Sequence, residues 1–443
     1  MGSMADKSID TARYPPAGRT GAQGDMADDM AGPGEVAAGQ YMVTTRRGAD
    51  VLAVSLMFVF ITGAVTLSVM PVITNELRTS IGLTDAQIGL LTSVFMGFYG
   101  VSGISSGIGA ARWGGRLLIV SCGCFVVGSL IFAFSSGMGG FLVGRAIQGI
   151  GGGMVIATCS PVLAHSLPPE RLGRAWGILG SGWGLGTMAA LLIMPSIQSA
   201  GGYQAVFLAN AALGLAVGVA ATAQKPVRSL PRHPEGATTL RGLATSLRAC
   251  ISNPRVLLLG LTNVAALAVG VGILAWTPSF LQDVHGSAET ISVYLVAGLG
   301  AAQLVGNPLG AVAAHRWGKF GVIFWSLIVM TVGTVLVALV PGVPLIFVMV
   351  LVVGCFSMLF FPPMMSYMPE VVARPEQVGP ATGINTAMGF VGSLVAPWLF
   401  GLFLDTGNQS DSSYMAGYLM LAAFGVAAII GMVFFRRLAT RTP

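Results

Sequence analysis

One charged side chain in this chain lies inside a long apolar run. Of its twenty-three basic and seventeen acidic residues, only Arg145 is so placed; the rest fall between such runs. A guanidinium carries five N–H donors in a rigid fork and stays protonated. Buried among apolar groups, it needs a carboxylate, a set of carbonyls or an anionic ligand. Gln148 lies one helical turn further on, on roughly the same face. Two roles are open to the pair. Arg145 attracts the anionic group of a substrate or biases the protonation of a partner, or it is a structural arginine bonded to carbonyls between helices. All seventeen acids lie in the tail or between the runs. The substrate is therefore one candidate for the missing counter-charge.

Other chemistries find little support. His165, His233, His285 and His315 form no cluster with cysteines or acids. Cys122, Cys124, Cys159, Cys250 and Cys355 lack metal-ligand or redox spacing and read as structural thiols without disulfides. No glycine-rich phosphate loop is followed by a lysine, so ATP-driven work is not expected. We expect no enzyme, no cofactor and no metal.

The elements that must hold Arg145 are membrane spans. The chain is 54% apolar and 9% charged, where a soluble domain carries about 25% charged residues. Its mean hydropathy is +0.79. Runs of ~20 apolar residues are long enough to cross a bilayer. Twelve occur: Val51–Val72, Ile88–Ala111, Leu117–Phe134, Met138–Ala164, Ala175–Ile197, Val206–Ala223, Val256–Pro278, Ile291–Ala314, Val322–Val340, Val343–Met365, Ala381–Leu404 and Tyr414–Phe435. Lipid offers no partner to a free backbone group, so they must be helices. A membrane barrel would show ~10-residue alternating segments instead. The 62 glycines suit close helix contacts.

The loops fix an orientation. With the amino terminus inside, twenty-one of the twenty-three basic residues face the cytoplasm. Only Arg78 falls in an outer loop, and Arg145 lies in a span. This positive-inside bias predicts that both termini are cytoplasmic, in a prokaryotic inner membrane. It also explains the net charge of +6 without nucleic acid as a partner. Residues 1–49 read as a disordered tail, and Met1-Gly2-Ser3 before Met4 resembles a cloning remnant. No signal peptide is expected, because the first apolar run is already span-length. The expected domains are a six-helix bundle at 50–223, a cytoplasmic linker at 224–255 and a second six-helix bundle at 256–437. Pro362-Pro363, inside the tenth run, must break helical hydrogen bonds.

The halves repeat. Ala110-Ala111-Arg112-Trp113-Gly114-Gly115 recurs as Ala314-His315-Arg316-Trp317-Gly318-Lys319, and Gly173, Gly177 and Gly186 recur as Gly379, Gly383 and Gly392. Such repeats are a usual build of secondary transporters. Two motifs then carry a family resemblance over residues 50–437. Gly107-Ile108-Gly109-Ala110-Ala111-Arg112-Trp113-Gly114-Gly115-Arg116 resembles the loop signature Gly-x-x-x-Asp-Arg-x-Gly-Arg-Lys/Arg of the major facilitator superfamily. Arg145-Ala146-Ile147-Gln148-Gly149-Ile150-Gly151 is similar to its Arg-x-x-Gln-Gly-x-Gly. The resemblance implies an all-α membrane protein of twelve transmembrane helices in two pseudo-symmetric six-helix bundles. In the family, the loop aspartate takes part in a charge-relay lock closing the inner side. Here Ala111 and His315 stand in its places. A lock would therefore depend on Arg112, Gly114, Arg116, Arg316 and Gly318, with Glu170 as one acidic partner. The same basic residues read equally as topology markers touching lipid phosphates.

The family layout puts the first, second, fourth and fifth helices of each half around the centre. Polar or aromatic residues at mid-depth there are Thr62, Phe95, Tyr99, Gln148, Trp183, Asn263, Trp276, Tyr294, Gln303, Asn307, Ser357, Phe360 and Asn385. Substrate contact is expected of Arg145, Gln148, Thr62, Tyr99, Asn263, Trp276, Tyr294, Gln303, Asn385 and Phe360, with helix packing as the alternative for each. The expected function is a monomeric secondary transporter of a small, carboxylate-like organic anion, by exchange or proton-coupled symport. Two alternatives stand beside it: a multidrug or metabolite exporter, and a non-transporting membrane receptor or scaffold.

Overall fold

A computed structural model describes residues 45–113, 116–167, 169–223, 240–373 and 377–439. The expected tail up to residue 44, the first half of the linker (224–239) and Gly114 lie outside the described residues, as do the side chains of Arg112 and Glu170.

The described chain is helical apart from short turns and loops between helices. Its helices are α1 (Arg46–Ser68), α2 (Met70–Thr79), α3 (Asp85–Trp113), α4 (Arg116–Phe134), α5 (Met138–Ser166), α6 (Pro169–Ala223), α7 (Leu240–Ile251), α8 (Pro254–Asp283), α9 (Glu289–Trp317), α10 (Lys319–Leu339), α11 (Val343–Leu359), α12 (Phe361–Val371), α13 (Val378–Thr406) and α14 (Asp411–Ala439). Each of the twelve predicted spans is helical, apart from breaks at Val69 and Phe360 and the terminal Val340. The chain is an all-α membrane protein of two pseudo-symmetric six-helix bundles.

Breaks occur where the residues require them. Gly201 and Gly202 leave helical geometry inside α6, Gly202 at φ 65°, a region that suits a residue without Cβ. They divide the fifth span from the sixth. Pro71 marks the step from α1 to α2. Pro362 and Pro363 lie in the first turn of α12, just after the break at Phe360, as their missing N–H groups predict. α7 falls in the expected linker and was not foreseen. At twelve residues it is too short to cross a bilayer. It is anchored through Cys250, whose Sγ donates to Gln377 O at 3.6 Å.

Within the first half, α1 packs on α6, α3 on α5, and α4 on both α5 and α6. In the second half α8 packs on α13, α9 on α11, and α10 on both α11 and α14, which repeats the same plan. The halves meet along two seams, α3 with α13 and α6 with α9, as a pseudo-two-fold requires. Glycines make the second seam tight: a Cβ on Gly184 would lie 2.6 Å from Gly300 O, and one on Gly300 would lie 2.7 Å from Gly184 O.

Arg46 and Ala439 end on one face, here the terminal face. The other is the distal face. There Arg78 of α2 bonds Asp283 of α8 at 3.0 Å and Asp85 of α3 at 2.8 Å. Gln409 reaches Asp85 at 2.8 Å, and the Tyr414 hydroxyl donates to Asp283 at 2.5 Å. Burial pushes the Asp85 carboxyl up, and the neighbouring Arg78 opposes that shift. Burial works against the Arg78 charge, yet Asp85 and Asp283 outweigh it and hold the guanidinium above its ordinary range. The two halves are thus joined across the distal face.

Candidate functional site

Arg145 is carried into the interior by the glycines of its own helix. A Cβ on Gly144 would lie 2.7 Å from Gly128 O of α4, and one on Gly151 would lie 2.8 Å from Ser121 O. Gly149 and Gly152 rest against Phe95 and Tyr99 of α3. With no side chains in the way, α5 lies flush on both neighbours. Arg145 projects toward α1 and α3 and is 0% exposed.

The guanidinium is held by helix backbone and one amide. Nη1 donates to Thr66 O of α1 at 2.7 Å and to Gln148 Oε1 at 3.0 Å, and Nε donates to Leu91 O of α3 at 3.3 Å. Its Cζ lies 4.7 Å from the centre of the Phe95 ring, a cation–π contact. Nη2 has no partner. Among the described residues no carboxylate pairs with Arg145. In this conformation its bonds run to helix carbonyls and one amide, with one nitrogen left over.

The network continues through residues that the sequence reading did not single out. Gln148 Nε2 donates to Ser129 Oγ of α4 at 2.8 Å. Asn210 Nδ2 reaches the same oxygen at 2.9 Å and Thr66 Oγ1 at 3.1 Å. Thr66 donates to Thr62 O at 2.7 Å. Thr66, Ser129, Arg145, Gln148 and Asn210 therefore tie four helices of the first half together, and Leu91 O adds α3. Asn210 lay in the sixth span, outside the helices that the family layout marks as lining the centre. Its amide in an otherwise apolar run was the available signal.

An aromatic layer separates this network from the second half. Phe95 lies 5.9 Å from Tyr99, and Tyr99 lies 4.8 Å from Phe390 of α13, across the seam. Trp183 meets Tyr99 edge-on at 6.2 Å and Phe60 at 5.9 Å. Arg145 thus lies behind the Phe95 and Tyr99 rings, the second of which meets the other half.

The expected substrate residues fall into separate groups. Thr62, Tyr99, Gln148 and Arg145 lie together in the first half. Asn263 and Asn385 meet in the second, where Asn263 Nδ2 donates to Asn385 O at 3.1 Å. Trp276 is committed to packing: its indole donates to Pro397 O at 3.0 Å and its ring stacks on Phe400. Phe360 is buried at the α11–α12 break. Gln303 is buried with Oε1 unpartnered. Tyr294 stands apart at 38% exposed, in the second turn of α9 near the distal face. A polar cavity of about 430 Å³ lies at that face, between Asn75, Glu76 and Glu289.

Of the expected lock residues with described side chains, Arg116 and Arg316 are exposed. Gly318, at φ 79°, turns the chain from α9 into α10. The next residue, Lys319, pairs with Glu370 and donates to Ser366 O at 3.0 Å. Neither Glu370 nor the Arg78 cluster was anticipated.

A repeated bundle whose halves meet along two seams and join on one face is the architecture of a membrane transporter. The sequence model of the Major Facilitator Superfamily matches residues 52–397 and 287–443, and the chain belongs to that family. It is 24% identical over 402 residues to the hexuronate transporter of Bacillus subtilis (strain 168), covering 85% of this chain and 94% of that one. It is 22% identical over 359 residues to a "Probable 4-methylmuconolactone transporter" of Cupriavidus pinatubonensis, covering 78% and 82%. Among solved structures, a bacterial homolog of the human lysosomal transporter Spinster superposes with a TM-score of 0.70 at 16% identity, over 89% of this chain and 97% of that one.

Proposed function

We propose that this transporter carries a small organic anion, carboxylate-like, by alternating access between the two faces. Arg145 carries the proposal. It is a fully buried cation with one free nitrogen and no carboxylate partner among the described residues. Holding such a charge without a counter-ion costs several kcal/mol. An anion entering between the halves relieves that cost without touching the guanidinium, because only the Phe95–Tyr99 layer intervenes. At roughly 9 Å and an effective dielectric of ~20, the attraction is about 2 kcal/mol. The aromatic layer supplies an apolar wall for the body of the molecule. The hexuronate transporter among its relatives is consistent with such a cargo.

The described acids sit at or near helix ends, as Asp85, Asp283, Glu289, Glu370, Asp405 and Asp411 do. A proton taken across would therefore ride on the substrate, or the anion would move by exchange. The positive-inside bias supports a placement with both termini in the cytoplasm. The test is binding to the purified protein. Thermal unfolding is followed with matched carboxylates and their amides, since a ligand of the folded state raises the midpoint by mass action. The proposal expects carboxylates to raise it and the amides to leave it unchanged. Equal shifts from both, or shifts from organic cations alone, would contradict it.

A further inference from the structure

The first turn of α3 has all its backbone donors satisfied, two of them by the other half of the molecule. Thr84 and Gln87 form a capping box, with Gln87 N on Thr84 Oγ1 at 3.3 Å and Thr84 N on Gln87 Oε1 at 3.0 Å. Ile88 N takes Thr84 O at 3.0 Å. The two donors that remain, Asp85 N and Ala86 N, go to Oδ1 and Oδ2 of Asp405 at 2.8 and 3.0 Å.

Asp405 belongs to the last turn of α13. That is the negative end of its own helix, where a carboxylate is disfavoured, whereas the start of α3 is a positive end that favours one. The acid therefore harms the element that carries it and helps the element that it faces. The close approach is built into the backbone. A Cβ on Gly401 would strike Asp85, and one on Gly89 would strike Pro397. Opening the distal face must separate α13 from α3. Both bonds are then lost together, and a charge is left on an unfavourable helix end.

We propose that Asp405 is a positioning residue of the transport cycle: as a helix cap supplied across the seam, it holds the distal face shut. Arg78 also meets Asp85, but it bridges that acid of its own half as well as Asp283. The cap is bound only when the halves meet. This inference depends on the alternating-access transporter and not on the charge of its cargo.

The test uses full-length protein in proteoliposomes. The five native cysteines are replaced by serine, and Thr187→Cys is added as a reporter. Thr187 is buried on α6, and its Cβ lies against Gly300. A membrane-impermeant maleimide is applied from the distal side. Asp405→Asn, which keeps the shape but loses the charge, is expected to speed labelling about tenfold with little change in thermal midpoint. Asp405→Ala should do at least as much. Thr84→Ala removes a cap made within one half; it should lower the midpoint and leave the labelling rate unchanged. Unchanged labelling in Asp405→Asn, or equal acceleration by Thr84→Ala, overturns the proposal. If Asp405→Ala does not fold, the asparagine variant decides alone.

Discussion

Replacing Arg145 separates what the guanidinium does for the fold from what it does for an anion. Three hydrogen bonds hold it, at 2.7, 3.0 and 3.3 Å, and the Phe95 ring lies at 4.7 Å. Arg145→Gln removes the charge. The attraction to a carboxylate beyond Phe95 and Tyr99 falls by about 2 kcal/mol, which is about thirtyfold in affinity. Arg145→Lys keeps the charge but loses the planar fork, so it cannot serve Thr66 O, Leu91 O and Gln148 Oε1 together. Bonds from a charged donor contribute about 1.5–3 kcal/mol each. The lysine variant is thus expected to lose stability while keeping most of its preference for the anion. The assay is initial-rate uptake in proteoliposomes with a carboxylate and its amide, beside thermal unfolding of the same variants. Arg145→Gln should raise KM for the carboxylate about thirtyfold and leave the amide unchanged. An unchanged carboxylate KM, or equal losses for both solutes, would refute the electrostatic reasoning and leave Arg145 purely structural.

Further outcomes follow from the same contacts. Gly184→Val and Gly300→Val each place atoms where α6 and α9 cross, so either should cost about 1–3 kcal/mol by overpacking and reduce transport more than tenfold, read by unfolding and uptake. Asn210→Ala deprives Ser129 and Thr66 of a partner and should cost about 1–3 kcal/mol in unfolding free energy. Trp276→Phe loses the bond to Pro397 O and part of the packing of a buried indole; about 1–3 kcal/mol of stability and an unchanged KM are expected. Glu370→Gln breaks a half-exposed pair with Lys319 and should change stability by less than about 1 kcal/mol, the least of the set.

Much of the architecture was legible because lipid imposes simple rules. Span-length apolar runs had one structural reading, and the helices took it; Pro362-Pro363 marked a break in the tenth span, and of the duplicated glycines Gly186 and Gly392 sit in close helix contacts. The sequence also marked Arg145 and Gln148, since a charge in such a run has few explanations. What it hid were partners set by geometry. Thr66, Ser129 and Asn210 are ordinary polar residues until three helices bring them together. Asp405 and Asp85 stand 320 positions apart and meet only when the halves close. Arg78 was noted as the one basic residue of the outer loops, yet its two carboxylates come from different helices. Trp276 and Tyr294 show the opposite limit. An aromatic at mid-depth in a span reads the same whether it faces a cleft, packs on Pro397 or stands near a surface. α7 was missed because twelve residues between prolines and arginines lack the length that a span reading looks for.

Counterflow is the most direct test of the transport claim. Proteoliposomes containing the unmodified protein are loaded with an unlabelled carboxylate, and entry of the labelled form is followed with no ion gradient imposed. An alternating-access carrier of organic anions gives a transient overshoot of label, abolished when the carboxylate is replaced by its amide. No overshoot with any carboxylate in the panel, alongside overshoot with neutral or cationic solutes, would contradict the account.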